Sequence, residues 1–470
     1  MIEQLANGFS NFILKANEYL ANYILVVMLV SVGLWFTFRT KFVQVRCLWE
    51  GFRKVFTGLS FSGKSKDGEM TSFQALSTAI ASQVGTGSIV GAAGAILIGG
   101  PGAIFWMWII AFLGMATIYA EATLAIKTRK VDENGNINGG PVYYITTAFK
   151  GSFGKFMAEF FAVAAVLALG FMGAMVQSNS IAYSLQTAFS IPNWVSGIFL
   201  VLLCGVIYIG GVKRLASVTE KMVPLMAGFF IIGAIIILII RAKYLPETFY
   251  MIFNYAFHPE AIIGGGFGYA IRTAIIQGTK RGLFSNEAGM GSTPHAHALA
   301  NVKNPHEQGV VAMIGVFIDI FIVLTMNALV IISTFYTSDG VLAHGYTGAV
   351  TEVLNNTNLV QMAFANIWGN TIGTAFVAIC LFFFAFSSIL GWNLFGKINA
   401  VYLFGNKNPK IAEVVYYIIA LGFVMLGTII SNNFVWELTD FFNNLMVIPN
   451  VLALFALTGM VLTIVKNKDV

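Results

Sequence analysis

The residues best suited to chemistry lie in two glycine-rich interruptions of otherwise apolar segments. Residues 71–99 read TSFQALSTAIASQVGTGSIVGAAGAILIG, an apolar run broken at its centre by Gln83-Val84-Gly85-Thr86-Gly87-Ser88. One helix from Ser72 to Leu97 would be about 39 Å long at 1.5 Å per residue, enough to cross a hydrocarbon core of about 30 Å. Each glycine weakens a helix interior by about 1 kcal/mol relative to alanine. Within a bilayer, unwound backbone survives only where protein or a water-filled cavity supplies hydrogen-bond partners. A small polar cluster at mid-membrane depth is therefore a binding-site candidate. Close helix packing is the alternative, because Gly87, Gly91 and Ala95 have small-xxx-small spacing. Residues 264–294, GGGFGYAIRTAIIQGTKRGLFSNEAGMGSTP, carry a second interruption, with Gln277, Ser285, Asn286 and Glu287 among glycines 278, 282, 289 and 291. The competing reading is a short span ended by Lys280 and Arg281 and followed by a cytoplasmic loop.

Paired broken helices favour a definite chemistry. The positive end of a half-helix attracts a carboxylate, and freed backbone carbonyls hold a hard cation such as sodium. Thr78, Ser82, Thr86 and Ser88, with Ser387-Ser388 further along, offer hydroxyl oxygens. Each could equally make an interhelical hydrogen bond worth about 0.6–2 kcal/mol. Gln177, Ser178 and Asn179 lie in another apolar run, open to substrate contact or structural bonding. Glu121, Arg272, Glu287 and Asp319 are charged groups within candidate spans, which marks them as functional by default. Arg272 could pair with Asp319 or Glu287, and Glu121 and Glu159 could instead sit near the inner interface. Trp392, Phe284 and Tyr183 are candidate aromatic walls. Enzyme chemistry finds no support: the one close histidine pair, His295 and His297, lacks a third ligand, and there is no phosphate-binding loop or nucleophile elbow. No organic cofactor is expected, and with no sign of ATP use any work done would have to draw on an ion gradient.

The elements that position these residues follow from composition. The 470 residues are 57% hydrophobic and 10% charged, against about 25% charged in a soluble domain. An integral membrane protein is expected, with no role in binding nucleic acid despite the net charge of +6. Cys47, Cys204 and Cys380 lie far apart, with no metal or disulfide spacing. No cleavable leader is evident, so the first apolar run should remain as a span. Apolar runs fall at roughly 18–38, 72–98, 102–126, 156–189, 194–211, 217–240, 264–294, 308–336, 371–396, 411–431 and 440–465, making eleven spans. Charge then orients them. Lys and Arg concentrate in alternate connections, 23 of 27 on one side, with Lys280 and Arg281 counted there, while 99–101, 190–193, 337–370 and 432–439 hold none. The N-terminus is expected outside and the C-terminus in the cytoplasm. Residues 244–260 suit an interfacial helix, and 337–367, amphipathic near Gly348 to Leu354, form an outer gate element or a passive loop.

The interruptions sit in spans 2 and 7, five spans apart. An odd repeat length inverts one half relative to the other, as in inverted-repeat transporters. The expected organisation is an all-α membrane protein of two five-helix repeats with one extra N-terminal helix and two broken helices. Residues 1–70 hold the first span and a basic loop, 71–241 the first repeat, 242–263 an outer connector, 264–466 the second repeat, and 467–470 a cytoplasmic tail.

Several motifs point to one family. Gly99-Gly100-Pro101-Gly102-Ala103-Ile104-Phe105-Trp106-Met107-Trp108, running on to Gly114, resembles the signature of the alanine/glycine:cation symporters, or sodium:alanine symporters, of the amino acid-polyamine-organocation superfamily. Val84-Gly85-Thr86-Gly87-Ser88-Ile89, Gly139-Gly140-Pro141-Val142-Tyr143-Tyr144-Ile145, Met175-Val176-Gln177-Ser178-Asn179-Ser180 and Lys280-Arg281-Gly282-Leu283-Phe284-Ser285-Asn286-Glu287-Ala288-Gly289 are further matches, and Gly391-Trp392 extends them. Ser88 departs from the asparagine often found there in the family. The resemblance implies a neurotransmitter:sodium symporter-like fold and a cell-membrane importer of alanine or glycine coupled to sodium, or in some members to protons. It implies that the substrate carboxylate meets Gly85, Thr86 and Gly87, with Gln177, Tyr183 and Trp392 nearby; Gln277 and Phe284 of the second interruption join that candidate set. Sodium falls between the first break and span 9, at Ala81, Ser82, Val84, Ser387 and Ser388. A passive amino-acid or ion pore is the alternative function, although no continuous polar file or charged ring supports it.

Overall fold

Thr71 starts the first interrupted helix. Its hydroxyl accepts from the Gln74 amide and the Gln74 side chain bonds back to Thr71, the reciprocal cap encoded by T-x-x-Q. The computed structural model describes residues 2–57, 70–131, 137–258, 267–343, 354–356, 358–405, 408–430 and 432–467. The helices are α1 (Asn11–Arg39), α2 (Leu48–Thr57), α3 (Ser72–Gln83), α4 (Gly87–Gly99), α5 (Ala103–Thr128), α6 (Pro141–Ala148), α7 (Gly151–Phe189), α8 (Asn193–Ile209) and α9 (Gly211–Ile240). They continue as α10 (Leu245–Tyr255), α11 (Phe267–Asn286), α12 (Pro294–Ala298), α13 (Pro305–Phe335), α14 (Leu359–Trp368), α15 (Asn370–Phe404), α16 (Pro409–Ile429), α17 (Asn432–Ala456) and α18 (Thr458–Lys466). Among the described residues the one sheet is a two-stranded antiparallel ribbon, β1 (Lys130–Val131) with β2 (Ile137–Asn138).

Eight of these helices are long and apolar enough to cross a membrane, or nine if α3 and α4, bent by 43°, count as one span. The expected eleven include two that miss this standard for visible reasons. α8 has only 17 residues, and α11 carries Arg272, Lys280 and Arg281. The expected outer connector does form a helix, α10, while α14 appears where only a connection was expected. Of the stretch expected to be amphipathic, 348–353 lie outside the described residues.

α4 and α11 lie antiparallel, which brings the two interruptions together. A Cβ on Gly99 would stand 3.2 Å from Gln277 Cβ, and one on Gly87 would stand 2.8 Å from Ser285 Cα. Below that level Gln83 Nε2 donates to Asn286 O at 2.8 Å and Ser82 Oγ to Glu287 Oε2 at 3.3 Å. The first break falls at Val84-Gly85, as the sequence suggests. The second does not fall at Gly278 or Gly282. Gly278 lets α11 press on α5: a Cβ there would lie 2.6 Å from Ala103 O. The helix continues to Asn286 and unwinds beyond it, where Glu287, Gly289 and Gly291 take φ of 58°, 87° and 79°.

That shift corrects the charge count. Lys280 and Arg281 lie between the Gly99 and Gly87 levels, on the Gly99 side of the breaks, rather than with the basic connections. The remaining 21 of 27 basic residues keep the asymmetry. Arg272 pairs with neither Asp319 nor Glu287: its guanidinium donates to Tyr23 on α1 at 2.8 Å and lies over that ring.

The glycine motifs are close-approach points. A Cβ on Gly102 would lie 2.2 Å from Tyr255 O, so the α4–α5 turn abuts α10, and Trp106 Nε1 donates to Ala256 O at 3.1 Å. Gly140, at φ 118°, would place a Cβ 2.7 Å from His295 on α12.

Arg241 joins the end of α9 to the end of α13. Its guanidinium donates to both Asp339 oxygens at 2.6 Å and through Nε to Ser333 O at 2.9 Å. Hydrogen bonding to Arg241 holds the Asp339 carboxyl well below the usual carboxylate range. A depressed folded-state pKa stabilises at neutral pH and is lost on acidification below about pH 4. Asp339→Asn should therefore unfold at lower temperature than the parent at neutral pH, with the gap closing in acid. A pH-independent gap in calorimetric scans would contradict this assignment.

Candidate functional site

Around the first break, α3 presents carbonyls, α4 presents an N-terminus, and α7, α11 and α15 close the sides. The Thr86 amide donates to Gln177 Oε1 at 3.2 Å. Thr86 Oγ1 and Gln177 Nε2 are both buried and have no hydrogen-bond partner. Gly85 and Gly87 admit no side chain: a Cβ on Gly85 would stand 2.2 Å from Ser388 Oγ. Ser387 Oγ donates to Ala81 O at 3.1 Å, and Ser388 Oγ lies 2.9 Å from Ala81 O and 3.2 Å from Ser82 O. Val84 is buried at the same bend. Hydroxyls and backbone carbonyls so grouped are the hard oxygen donors that an alkali cation needs.

Aromatic rings bound the other side. Trp392 packs edge-on to Phe284 with centroids 5.6 Å apart, and Phe284 lies 4.8 Å from Trp436. Gly173 makes room for Trp392, since a Cβ there would lie 2.4 Å from its ring. Trp392 Nε1 donates to Glu287 Oε1 at 2.6 Å, and Ser292 Oγ donates to the other carboxylate oxygen. Glu287 thus links α3, the second break and α15.

Asp319 sits in a π-helical turn of α13. It accepts from Ser285 Oγ at 2.8 Å and from Ser88 Oγ, and the two hydroxyls are 3.1 Å apart. Among the described residues neither Asp319 nor Glu287 has a basic partner. Glu121 holds the second break directly. Its oxygens accept from the Gly289 and Gly291 amides at 3.0 Å each and from Asn450 Nδ2 at 2.7 Å.

A model of the sodium:alanine symporter family matches residues 6–469. The sodium/alanine symporter AgcS of Methanococcus maripaludis is 36% identical over 460 residues, covering 97% of each chain. The chain belongs to the sodium:alanine symporter family. A putative sodium/proton-dependent alanine carrier protein, YrbD of Bacillus subtilis, is 38% identical over 98% of this chain and 92% of its own. The fold resembles that of MhsT crystallised with L-phenylalanine, at TM-score 0.57 and 13% identity over 86% of this chain and 99% of that one. As a member of this symporter family the chain is a multi-pass membrane transporter.

The family member's structure sorts the sequence candidates. Gly85, Thr86, Gly87, Gln177, Phe284 and Trp392 gather around the breaks, as do Ala81, Ser82, Val84, Ser387 and Ser388. Gln277 is instead packed against Gly99, one end of α4 away from the first break. Tyr183 is half-buried on α7, six residues or about 9 Å beyond Gln177. Thr78 pairs with Thr219 at 3.1 Å, and Asn179 Nδ2 donates to Gly427 O and Ile430 O at 2.8 Å, so both tie helices together. His295 and His297 bond Asn399 and Gln308 at 2.8 Å, in structural roles. Glu121 needed more than the sequence to place, although its burden of charge in an apolar helix was the signal.

On the Gly99 side, Asp440 of α17 forms an ion pair with Lys280 at 2.6 Å and accepts at 3.4 Å from Arg281, whose guanidinium covers Trp436. Arg281 and Trp436 line a cavity of about 190 Å³ together with Gly94, Leu97 and Asn356. Asp440→Asn should loosen this layer. A cysteine replacing Leu97 should then react severalfold faster with a membrane-impermeant maleimide, and an unchanged rate would show that the ion pairs do not restrict access.

Proposed function

We propose that this chain imports one small neutral amino acid, alanine or glycine, together with sodium by alternating access. The observation that carries this reading is the adjacent pair of unpaired buried polar atoms, Thr86 Oγ1 and Gln177 Nε2, at the start of α4. Buried polar atoms rarely go unpaired, and a carboxylate placed there accepts from both while meeting the positive end of the half-helix. Phe284 and Trp392 then bound the side chain, which favours a small one. Sodium enters between the Ala81, Ser82 and Val84 carbonyls and Ser387-Ser388. Rotating the two hydroxyl protons away from the carbonyls turns each serine oxygen toward the ion. The buried charge of Glu287 beside Ser82 compensates the cation, as a charge in the membrane interior requires.

The supporting architecture is eleven spans, with residues 71–241 and 264–466 as inverted repeats, the N-terminus outside and the C-terminus in the cytoplasm. The Lys280/Arg281–Asp440 layer then faces outward. Rocking of the α3–α5 and α11–α13 group against α7 and α15 exposes the breaks to each side in turn. The deciding experiment is alanine uptake into proteoliposomes, with and without sodium and proton gradients, competed by glycine, D-alanine and serine. Uphill alanine accumulation driven by sodium is expected. Uptake indifferent to both gradients would overturn the coupling and favour a passive pore.

A further inference from the structure

Away from both breaks, at the end of the fold where the basic stretch 39–57 lies, three ligand-type side chains converge. Cys47 follows the helical turn Val43–Arg46, Glu50 lies in the first turn of α2, and His306 is the second residue of α13. One ligand atom from each lies within 4.8 Å of the others. His306 Nε2 is 3.2 Å from the Glu50 carboxylate. Two nitrogen or oxygen ligands of one tetrahedral zinc, at about 2.0–2.2 Å from the metal, stand roughly 3.4 Å apart, so the His306–Glu50 pair needs almost no adjustment and the Cys47 sulfur closes in from within 4.8 Å.

The surroundings favour a metal in three further ways. His306 Nδ1 lies 2.6 Å from the Tyr119 hydroxyl. A proton on Nδ1 donated to that oxygen leaves the Nε2 lone pair directed at Cys47 and Glu50, the tautomer that a metal-bound histidine takes. The ligands also stand on backbones held in close contact. A Cβ on Gly51 would lie 2.7 Å from Val310 O, and Lys54 pairs with Glu307 at 3.0 Å. Finally, Cys47 and His306 are buried while the Glu50 side chain is 38% exposed, which leaves a route for an ion.

We propose that Cys47, Glu50 and His306 form a zinc site that clips α2 to the start of α13. Binding expels the thiol proton to solvent and forms the sulfur–zinc bond. Thiolate and carboxylate together neutralise the dication, and water completes the fourth position. The thiolate selects zinc over magnesium or calcium. In the proposed orientation this face meets the cytosol, where thiols stay reduced.

The test uses the full-length chain purified in detergent. Zinc titrated against a chelating indicator should bind at one ion per chain. Cobalt in its place should show a thiolate-to-cobalt charge-transfer absorption. Cys47→Ser should abolish that band and weaken zinc binding by at least about 100-fold, and Glu50→Gln should weaken it by about 10-fold or more. Thermal unfolding checks that each variant is folded; should Cys47→Ser fail there, the parent's cobalt spectrum and Glu50→Gln decide. Absence of zinc binding, a cobalt spectrum without the sulfur band, or zinc held equally by Glu50→Gln would each overturn the site.

Discussion

Gly87→Ala is expected to lower sodium-driven alanine uptake by about tenfold or more in protein that remains folded. The new Cβ would lie 2.8 Å from Ser285 Cα and 3.1 Å from Phe284 Cδ1. One of those neighbours is backbone and cannot rotate away. Overpacking of this kind costs about 1–3 kcal/mol, and each 1.4 kcal/mol is a factor of ten. The strain falls where the two breaks touch, so it should act on ligand binding and on their relative movement more than on global stability. Uptake measured in proteoliposomes, beside a thermal-unfolding scan of the same preparation, separates the two effects. Parent-like uptake would mean that this contact opens before substrate binds and that the close approach has no part in transport.

Glu121→Gln is expected to be nearly as damaging, through the second break. The carboxylate accepts from two backbone amides of an unwound segment, Gly289 and Gly291, and from Asn450. Glutamine keeps the shape but offers one acceptor oxygen where three donors converge, and its own NH₂ faces another donor. An unsatisfied buried donor costs about 1–3 kcal/mol. Uptake should fall by about tenfold or more, with a lowered unfolding temperature. Glu121→Asp tests the role of position: the charge survives, but the shorter side chain cannot span both amides, so it should recover little. Full activity in Glu121→Gln would show that the break keeps its shape without this support.

The two interruptions differ in how well local sequence describes them. Gly85 and Gly87 mark the first break correctly because glycine, lacking a Cβ, both weakens a helix and permits contact with Ser388 and Ser285. In α11 the same residue type misleads. Gly278 remains helical with its bare backbone filled by α5, Gly282 remains helical one turn on, and the unwinding waits for Glu287 to Gly291, where φ turns positive. Packing against a neighbour and unwinding both select glycine, so composition cannot separate them. Composition therefore leaves the position of the second break open, and the level of Lys280 and Arg281 with it.

By itself the sequence determined a mostly helical membrane transporter, a second interruption within residues 264–294 to partner residues 83–88, and the family, because apolar run length, charge asymmetry and glycine motifs are local properties. Only the tertiary structure decided which polar side chains meet. Ser88 joins Asp319 across 231 positions and Ser387 joins Ala81 across 306. Glu121 reaches Gly289 across 168, and Cys47 finds His306 on another helix. Such contacts depend on which face each helix turns toward its neighbours, and in a membrane the apolar residues leave that choice weakly marked, since lipid and protein interior are equally apolar.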